Sequence, residues 1–389
     1  MHETALMGNL LSIVERSARE AGCARVRVVH VRIGEMAGVN ADALRFAFET
    51  LALELGAEAH VPARMTKRTL ELGSRHSPEF VCVPFKYNLG NFIESLDAGA
   101  KVIVQAGGGC RFGYYAEVQE VILRDLGYDF EMVNLTSSWK IADFIADFRR
   151  IAPGVSLPRI ARGFAIAYRK AKALEAVEER VRLNVGFEAE RGAHDRVFSS
   201  FLRDLRAAGG FREVGALEDL TLGELAALPL DEPERRLRVG VVGELYILME
   251  PFSNHHLERR LAEHHVEVHR FVTLTKLIEY GLRSRPHVRA LLAEADPWVK
   301  YHLGADGTES VAMTWKLMNE GFDGMAHLKP FGCMPEVSAM SVLQRMSREH
   351  TFPILFVSYD AQTAETGIRT RVEAFCDMLH MRAQGRHSA

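Results

Sequence analysis

Three cysteines stand in settings that suit metal chemistry. Cys82 lies in Phe80-Val-Cys82-Val-Pro84-Phe-Lys86, Cys110 in Gly107-Gly-Gly-Cys110-Arg-Phe-Gly113, and Cys333 in His327-Leu-Lys-Pro-Phe-Gly-Cys333-Met-Pro-Glu336. Each has Gly or Pro beside it where a strand is expected to hand over to a helix. Parallel sheets bind ligands outside the carboxyl ends of their strands. The helix amino ends found there favour thiolate over thiol. With the two halves of the chain facing each other, the three sulfurs would converge. Three soft donors suit one 4Fe–4S cluster with an iron left open, able to polarise a substrate oxygen and to pass an electron. The plain alternative is three separate thiols buried as small core residues.

Other side chains fall on the loops expected to rim such a cleft. Lys86, Arg111 and Lys329 could hold phosphates or steer an acidic partner, with Asn254 beside them as a substrate contact. His255 or His256 could move a proton, and Glu336 could accept one, although an acid in a first helical turn is already favoured by the helix dipole.

The totals bound what these groups could serve. A chain of 389 residues predicts two or three domains, and 48% apolar with 25% charged residues describes a globular protein. A net charge of −3 gives no reason to expect nucleic acid or an anionic membrane as partner. No apolar run approaches the ~20 residues that span a bilayer, and the first residues lack a basic flank, so a cytoplasmic location is expected. Five widely spaced cysteines without any C-x-x-C argue against a disulfide framework and against a zinc ribbon. No G-x-x-x-x-G-K-S/T loop is present, so nucleotide hydrolysis is not expected of this chain.

Periodicity supplies the elements that must carry these groups. Met1 to Arg19 reads as a helix, Arg25 to Ile33 as an alternating strand, and Asn40 to Leu55 as a capped helix. Strands are expected at Ala57 to Pro62, Glu79 to Val83, Lys101 to Ala106 and Asp129 to Leu135. Helices are expected at Met65 to Gly73, Asn88 to Ala98 and Tyr114 to Leu126. Trp139 to Gly223 reads as mostly helical, and the mixed charges of Ala161 to Leu183 mark a solvated face. Pro229 to Arg236 reads as a linker. A second alternation follows, with strands at Leu237 to Gly243, Val266 to Phe271, Gly324 to Leu328 and Ile354 to Ser358. Helices are expected at Leu257 to His264, Val337 to Glu349 and Thr370 to Met381. The pattern predicts an α/β protein with two doubly wound parallel-sheet domains of Rossmann or flavodoxin-like type. The expected bounds are a small α+β segment at 1–55, a first cluster-binding domain at 56–150, a helical connection at 151–236 and a second cluster-binding domain at 237–389.

Two resemblances sharpen this. Met1-His2-Glu3, Leu10-Leu11-Ser-Ile-Val-Glu15, Val31-Arg-Ile33-Gly34-Glu35 and Ala43-Leu-Arg45-Phe46 resemble the start of hydrogenase nickel-incorporation proteins. That resemblance implies nickel binding by the amino terminus and His2. The zinc-binding C-x-x-C pairs of that family have no counterpart here. From about Leu53 to Leu379 the chain resembles the 2-hydroxyacyl-CoA dehydratase subunits, with the related CoA-substrate-specific activase-related and double-cubane cluster proteins. Met65-Thr-Lys-Arg-Thr-Leu-Glu-Leu-Gly73, Cys82-Val-Pro84, Gly109-Cys110-Arg-Phe-Gly113-Tyr-Tyr115, Glu250-Pro251-Phe252-Ser-Asn254 and Lys329-Pro-Phe-Gly-Cys333-Met-Pro-Glu336 carry it.

The second resemblance implies a 4Fe–4S cluster on Cys82, Cys110 and Cys333. It also implies an ATP-hydrolysing iron–sulfur activator as electron donor, a second homologous subunit or homodimer, and an acyl-CoA or small-molecule substrate. Cys23 and Cys376 read as structural, which leaves too few ligands for a double cubane. The stretch Asp360 to Glu365 lacks a glycine that this family commonly carries. Three readings follow: an oxygen-sensitive iron–sulfur enzyme of dehydratase or reductase type, a nickel metallochaperone for hydrogenase maturation, and a non-catalytic scaffold.

Overall fold

The computed structural model describes residues 31–32, 59–60, 64–100, 102–105, 114–134, 156–276, 279 and 284–387. The expected helices at Met1 to Arg19 and Asn40 to Leu55 lie outside them, as do Cys23, the Gly107 to Gly109 turn, Cys110 and Arg111. The chain divides into two compact units, residues 1–171 with 274–282, and residues 172–273 with 283–389.

In the first unit, β1 (Val31–Arg32) pairs in parallel with β2 (Ala59–His60), Val31 opposite Ala59. Helix α1 (Lys67–His76) starts at a capping box. Thr69 N–H donates to Thr66 Oγ1 at 3.3 Å, and Thr66 N–H donates to Thr69 Oγ1 at 3.0 Å. Helix α2 (Val83–Asp97) follows, with Cys82 at its N-cap and Pro84 in its first turn. The two helices meet where neither has a side chain. A Cβ on Gly73 would lie 1.7 Å from the Lys86 carbonyl oxygen, and one on Gly90 would lie 1.8 Å from that of Thr69.

The strand expected over Glu79 to Val83 is not there. That stretch is a turn, Phe80 is 88% exposed, and helix begins at Val83 rather than near Asn88. Pro84 explains the shift: its missing N–H and fixed φ suit a first helical turn. Strand β3 (Val102–Gln105), helix α3 (Tyr115–Asp125) and β4 (Glu131–Asn134) follow in the same unit, with β3 and β4 parallel and Ile103 opposite Met132. Phe85, Leu89, Phe92, Ile103, Tyr115 and Leu123 form its core.

Helix α4 (Leu157–Asn184) is counted with the first unit as far as Ala171 and with the second beyond it. Its charges do not simply face water. Lys170 and Arg182 are buried on it, Arg182 to 8% exposure. Helices α5 (Ala193–Ala207) and α6 (Phe211–Ala227) follow. The Pro229 to Arg236 stretch is tied down at its end, where Arg236 donates to Leu183 O, Asn184 Oδ1 and Glu267 Oε2 at 3.0–3.1 Å.

The second unit is built on four parallel strands: β5 (Leu237–Gly243), β6 (Val266–Arg270), β7 (Gly324–Pro330) and β8 (Ile354–Tyr359). Between β5 and β6 run α7 (Leu245–Met249) and α8 (Leu257–Glu263). Between β6 and β7 run α9 (Ser284–Ala295) and α10 (Gly307–Asn319), and α11 (Met334–His350) leads to β8. Helix α12 (Glu365–His387) ends the described chain.

The spatial order β6-β5-β7-β8 places the reversal of winding between β5 and β7. In sheets of this order the loops leaving the two strands at the reversal diverge, which makes their carboxyl ends the usual place for a ligand. Strand β7 is buried along its whole length, whereas β6 and β8 alternate, as befits inner and outer positions. Gly243 ends β5 at φ +143°, and a Cβ there would stand 1.9 Å from Leu328 O, so the two central strands touch backbone to backbone. Val311, Leu317, Met325, Leu343 and Met346 pack one face, with Trp298 and Trp315 against them. The fold is α/β with an all-parallel sheet. Among the described residues no helix is long and apolar enough to cross a membrane.

Candidate functional site

Cys333 caps α11 at the carboxyl end of β7, beside the reversal of strand order. Its N–H donates to Pro330 O at 3.2 Å, and its carbonyl accepts from Val337 N–H at 2.9 Å, so the loop closes tightly on the helix. The thiol is half-buried between exposed Phe331 and Met334. Cys82 holds the same position on α2, with a proline in the first turn again and the same partial exposure. Its Sγ lies 2.5 Å from the hydroxyl of Tyr115, the first residue of α3 and the fifth after Cys110.

Beneath Cys333 lies a buried polar cluster. Glu336 and His327 are both 0% exposed, with His327 Nε2 2.6 Å from Glu336 Oε2. Ser310 on α10 donates to both Glu336 oxygens at 3.0 Å. Glu336, nominated above as a proton acceptor, is thus clamped between β7 and α10 under the first turn of α11.

Two more acids approach it. Glu244 caps α7 and accepts from Ile247 N–H at 3.0 Å, while its Oε1 is buried without a partner among the described residues. Burial pushes its carboxyl up to about 7, with Glu336 adding to the shift against backbone hydrogen bonds that oppose it. Asp306 is raised well above the usual range by burial and by Glu244, Glu336 and Glu309, although Leu245 N–H donates to it at 3.2 Å. Lys329 is buried on β7, and burial lowers its ammonium against the pull of Cys333 and Glu336. Ser310, Asp306 and Glu244 were not nominated above. Only the N-cap position of the two acids hints at them in the sequence.

The remaining candidates separate. Asn254 is buried and sewn to the main chain, its Nδ2 donating to Ile247 O at 2.7 Å and its Oδ1 accepting from Leu257 N–H at 3.1 Å. His255 and His256 follow it at φ +54° and +56°, a left-handed pair that non-glycine residues adopt at a cost. His255 lies 6.0 Å from the Tyr359 ring and is lowered by burial against the opposing pull of Glu365; His256 is exposed. Lys86 donates to Glu79 O at 3.3 Å. Cys376 is fully buried, and burial pushes its thiol up to about 12 with Asp377 adding to the shift. Cys110, Arg111, Met1, His2 and Glu3 lie outside the described residues.

Cys82 and Cys333 bring soft donors at helix amino ends, which is the donor chemistry an iron–sulfur cluster takes. Among the described residues, no group of three or more His, Cys, Asp or Glu side chains could hold a metal ion.

Residues 1–70 match the family described as hydrogenase/urease nickel incorporation, metallochaperone, hypA. The hydrogenase maturation factor HypA of Chloroflexus aurantiacus is 50% identical over 52 residues, 13% of this chain and 46% of that protein. The factor of Roseiflexus sp. is 49% identical over 49 residues, covering 13% of this chain and 40% of its own length. That of Polaromonas naphthalenivorans is 44% identical over 52 residues, covering 13% and 45%. The chain thus spans less than half the length of these curated relatives, and the likeness is confined to its amino-terminal part.

Proposed function

We propose that residues 1–70 are a nickel-handling segment of the hydrogenase-maturation type, with His2 as chief donor beside Met1 and Glu3. The family match over those residues carries the reading. An imidazole next to backbone nitrogens suits Ni(II) in a square-planar site, and nickel would be cargo, taken up and released. Nickel titration of the full chain against His2→Ala tests it. The variant is expected to bind at least tenfold more weakly, and equal affinities would end the proposal.

A second reading concerns the rest of the chain. It is favoured by the equivalent placement of Cys82 and Cys333 at N-caps, each followed by proline. Under it, both halves are doubly wound domains, at 56–150 and 237–389 with a helical connection at 151–236, and Cys82, Cys110 and Cys333 hold a 4Fe–4S cluster. When bound, the cluster supplies one-electron reducing power and an open iron for a substrate oxygen. The helix amino ends stabilise thiolates at Cys82 and Cys333, the His327–Glu336–Ser310 clamp fixes the turn that carries Cys333, and the Lys329 ammonium adds positive charge beside it.

The implied reaction is reductive dehydration or reduction of an acyl-CoA or small molecule. Its partners would be an ATP-hydrolysing activator and a second homologous subunit or copy of this chain. Iron and acid-labile sulfide are measured on anaerobically purified chain. About four irons per chain, lost in Cys82→Ser and in Cys333→Ser, are expected. Iron-free wild type would sink this reading and leave the scaffold alternative.

A further inference from the structure

A cavity of about 290 Å³ opens in the second unit where α4, α5 and the loop after α7 surround the end of β6. That is close to the lower bound of volumes that hold small organic ligands. Its wall is largely apolar, with Val181, Val185, Phe198 and Leu248 facing it.

Two buried arginines also line it, and they are not equivalent. Arg270 has a buried Nε without a partner among the described residues, but both its terminal nitrogens are engaged, donating to Glu178 at 2.9 Å and to Glu258 at 3.1 Å. Arg259, toward the rim with exposed His256, is held by Asp195 at 2.8 Å. Arg182 has no such acceptor. It is 8% exposed, no described carboxylate forms an ion pair with it, and its Nε is buried without a hydrogen-bond partner among the described residues.

Burial and the neighbouring Arg270 work against its charge, while Glu258, Glu178 and Glu179 support it only at longer range. A guanidinium out of water with idle N–H donors is a costly arrangement in an unliganded protein. Its donors form a rigid fork that matches two oxygens in one plane.

We propose that this cavity binds a small carboxylate with an apolar body, the carboxylate paired with Arg182 and the body seated on Val181, Val185, Phe198 and Leu248. The shape of the donors argues for a planar head group, and the apolar wall argues against a bare inorganic ion. The site stands independently of both functional readings above. It needs neither nickel nor a cluster.

Calorimetric titration of the full chain with benzoate tests it, with benzamide and inorganic phosphate as comparison probes. Benzoate is expected to bind at millimolar concentrations or below, at least tenfold more tightly than either comparison probe. Arg182→Gln is expected to weaken benzoate at least tenfold. Val185→Phe, which fills the cavity and keeps the arginine, is expected to abolish binding at an unchanged melting temperature, and it carries the test should Arg182→Gln fail to fold. No benzoate binding by the wild type would overturn the proposal, as would binding that survives Val185→Phe or a folded Arg182→Gln. Equal binding of benzamide or phosphate would overturn the carboxylate assignment.

Discussion

Replacing Glu336 by methionine is the sharpest probe of how the Cys333 loop is held. The substitution keeps roughly the volume of the side chain but removes the acceptor shared by His327 Nε2 at 2.6 Å and Ser310 Oγ at 3.0 Å. Both partners are sealed from water, and His327 Nδ1 already lacks a partner among the described residues. Stranding two buried donors at about 1–3 kcal/mol each puts the loss at ~3–5 kcal/mol. An effect of ~3–5 kcal/mol is a loss of roughly two to four powers of ten in the folding constant.

Urea unfolding followed by tryptophan emission reads it, because Trp298 and Trp315 pack edge to face at 5.6 Å in the same half. The double variant His327→Leu/Glu336→Met removes both members of the hydrogen-bonded pair and is expected to recover more than half of the loss. A single variant within ~1 kcal/mol of wild type, or a double variant showing the plain sum of two single losses, would refute the reasoning.

Other outcomes are expected. Glu244, raised from 4.5 to about 7 by burial, binds its proton more tightly when folded, so its contribution is complete below pH 4.5 and fades as pH rises through 7. The wild type should therefore lose ~3 kcal/mol more than Glu244→Gln between pH 4.5 and pH 8, and parallel urea midpoints would contradict this. Cys376, held near 12, should resist iodoacetamide in the native chain while Cys333 and Cys82 are alkylated. Peptide mapping after a timed pulse decides it, and equal labelling of all three would count against the burial argument. Gly73→Ala forces a Cβ against Lys86 O and should cost at least 1–3 kcal/mol in thermal unfolding. A neutral variant would mean that α1 and α2 are not in contact there.

The strands of the second half were legible because they are short apolar runs closed by glycine or proline. Gly243 and Pro330 mark the ends of β5 and β7 in the sequence itself. The turn before α2 was misread for the same reason in reverse, since Phe80 and Val81 look like a strand until Pro84 is recognised as a helix-start residue. The burial of Arg182 was hidden because Glu178 and Glu179 on its own helix look like an ordinary solvated charge pattern, while Arg270 and Glu258, which also lie near it, come from far along the chain. Glu336 carried a local signal, its place in a first helical turn, but its real partners sit on β7 and α10. The nickel-family likeness was readable from residues alone, because it rests on contiguous sequence rather than on assembled geometry.

The contact of α1 with α2 has a mechanical consequence. At Gly73 and Gly90 the two helices meet main chain against main chain, and Thr69 Oγ1 donating to Glu94 Oε2 at 2.7 Å ties them alongside. The elbow joining them carries Cys82 as part of that welded frame. A ligand arriving at this sulfur meets a loop anchored at both ends by that contact, with the thiol turned toward the Tyr115 hydroxyl.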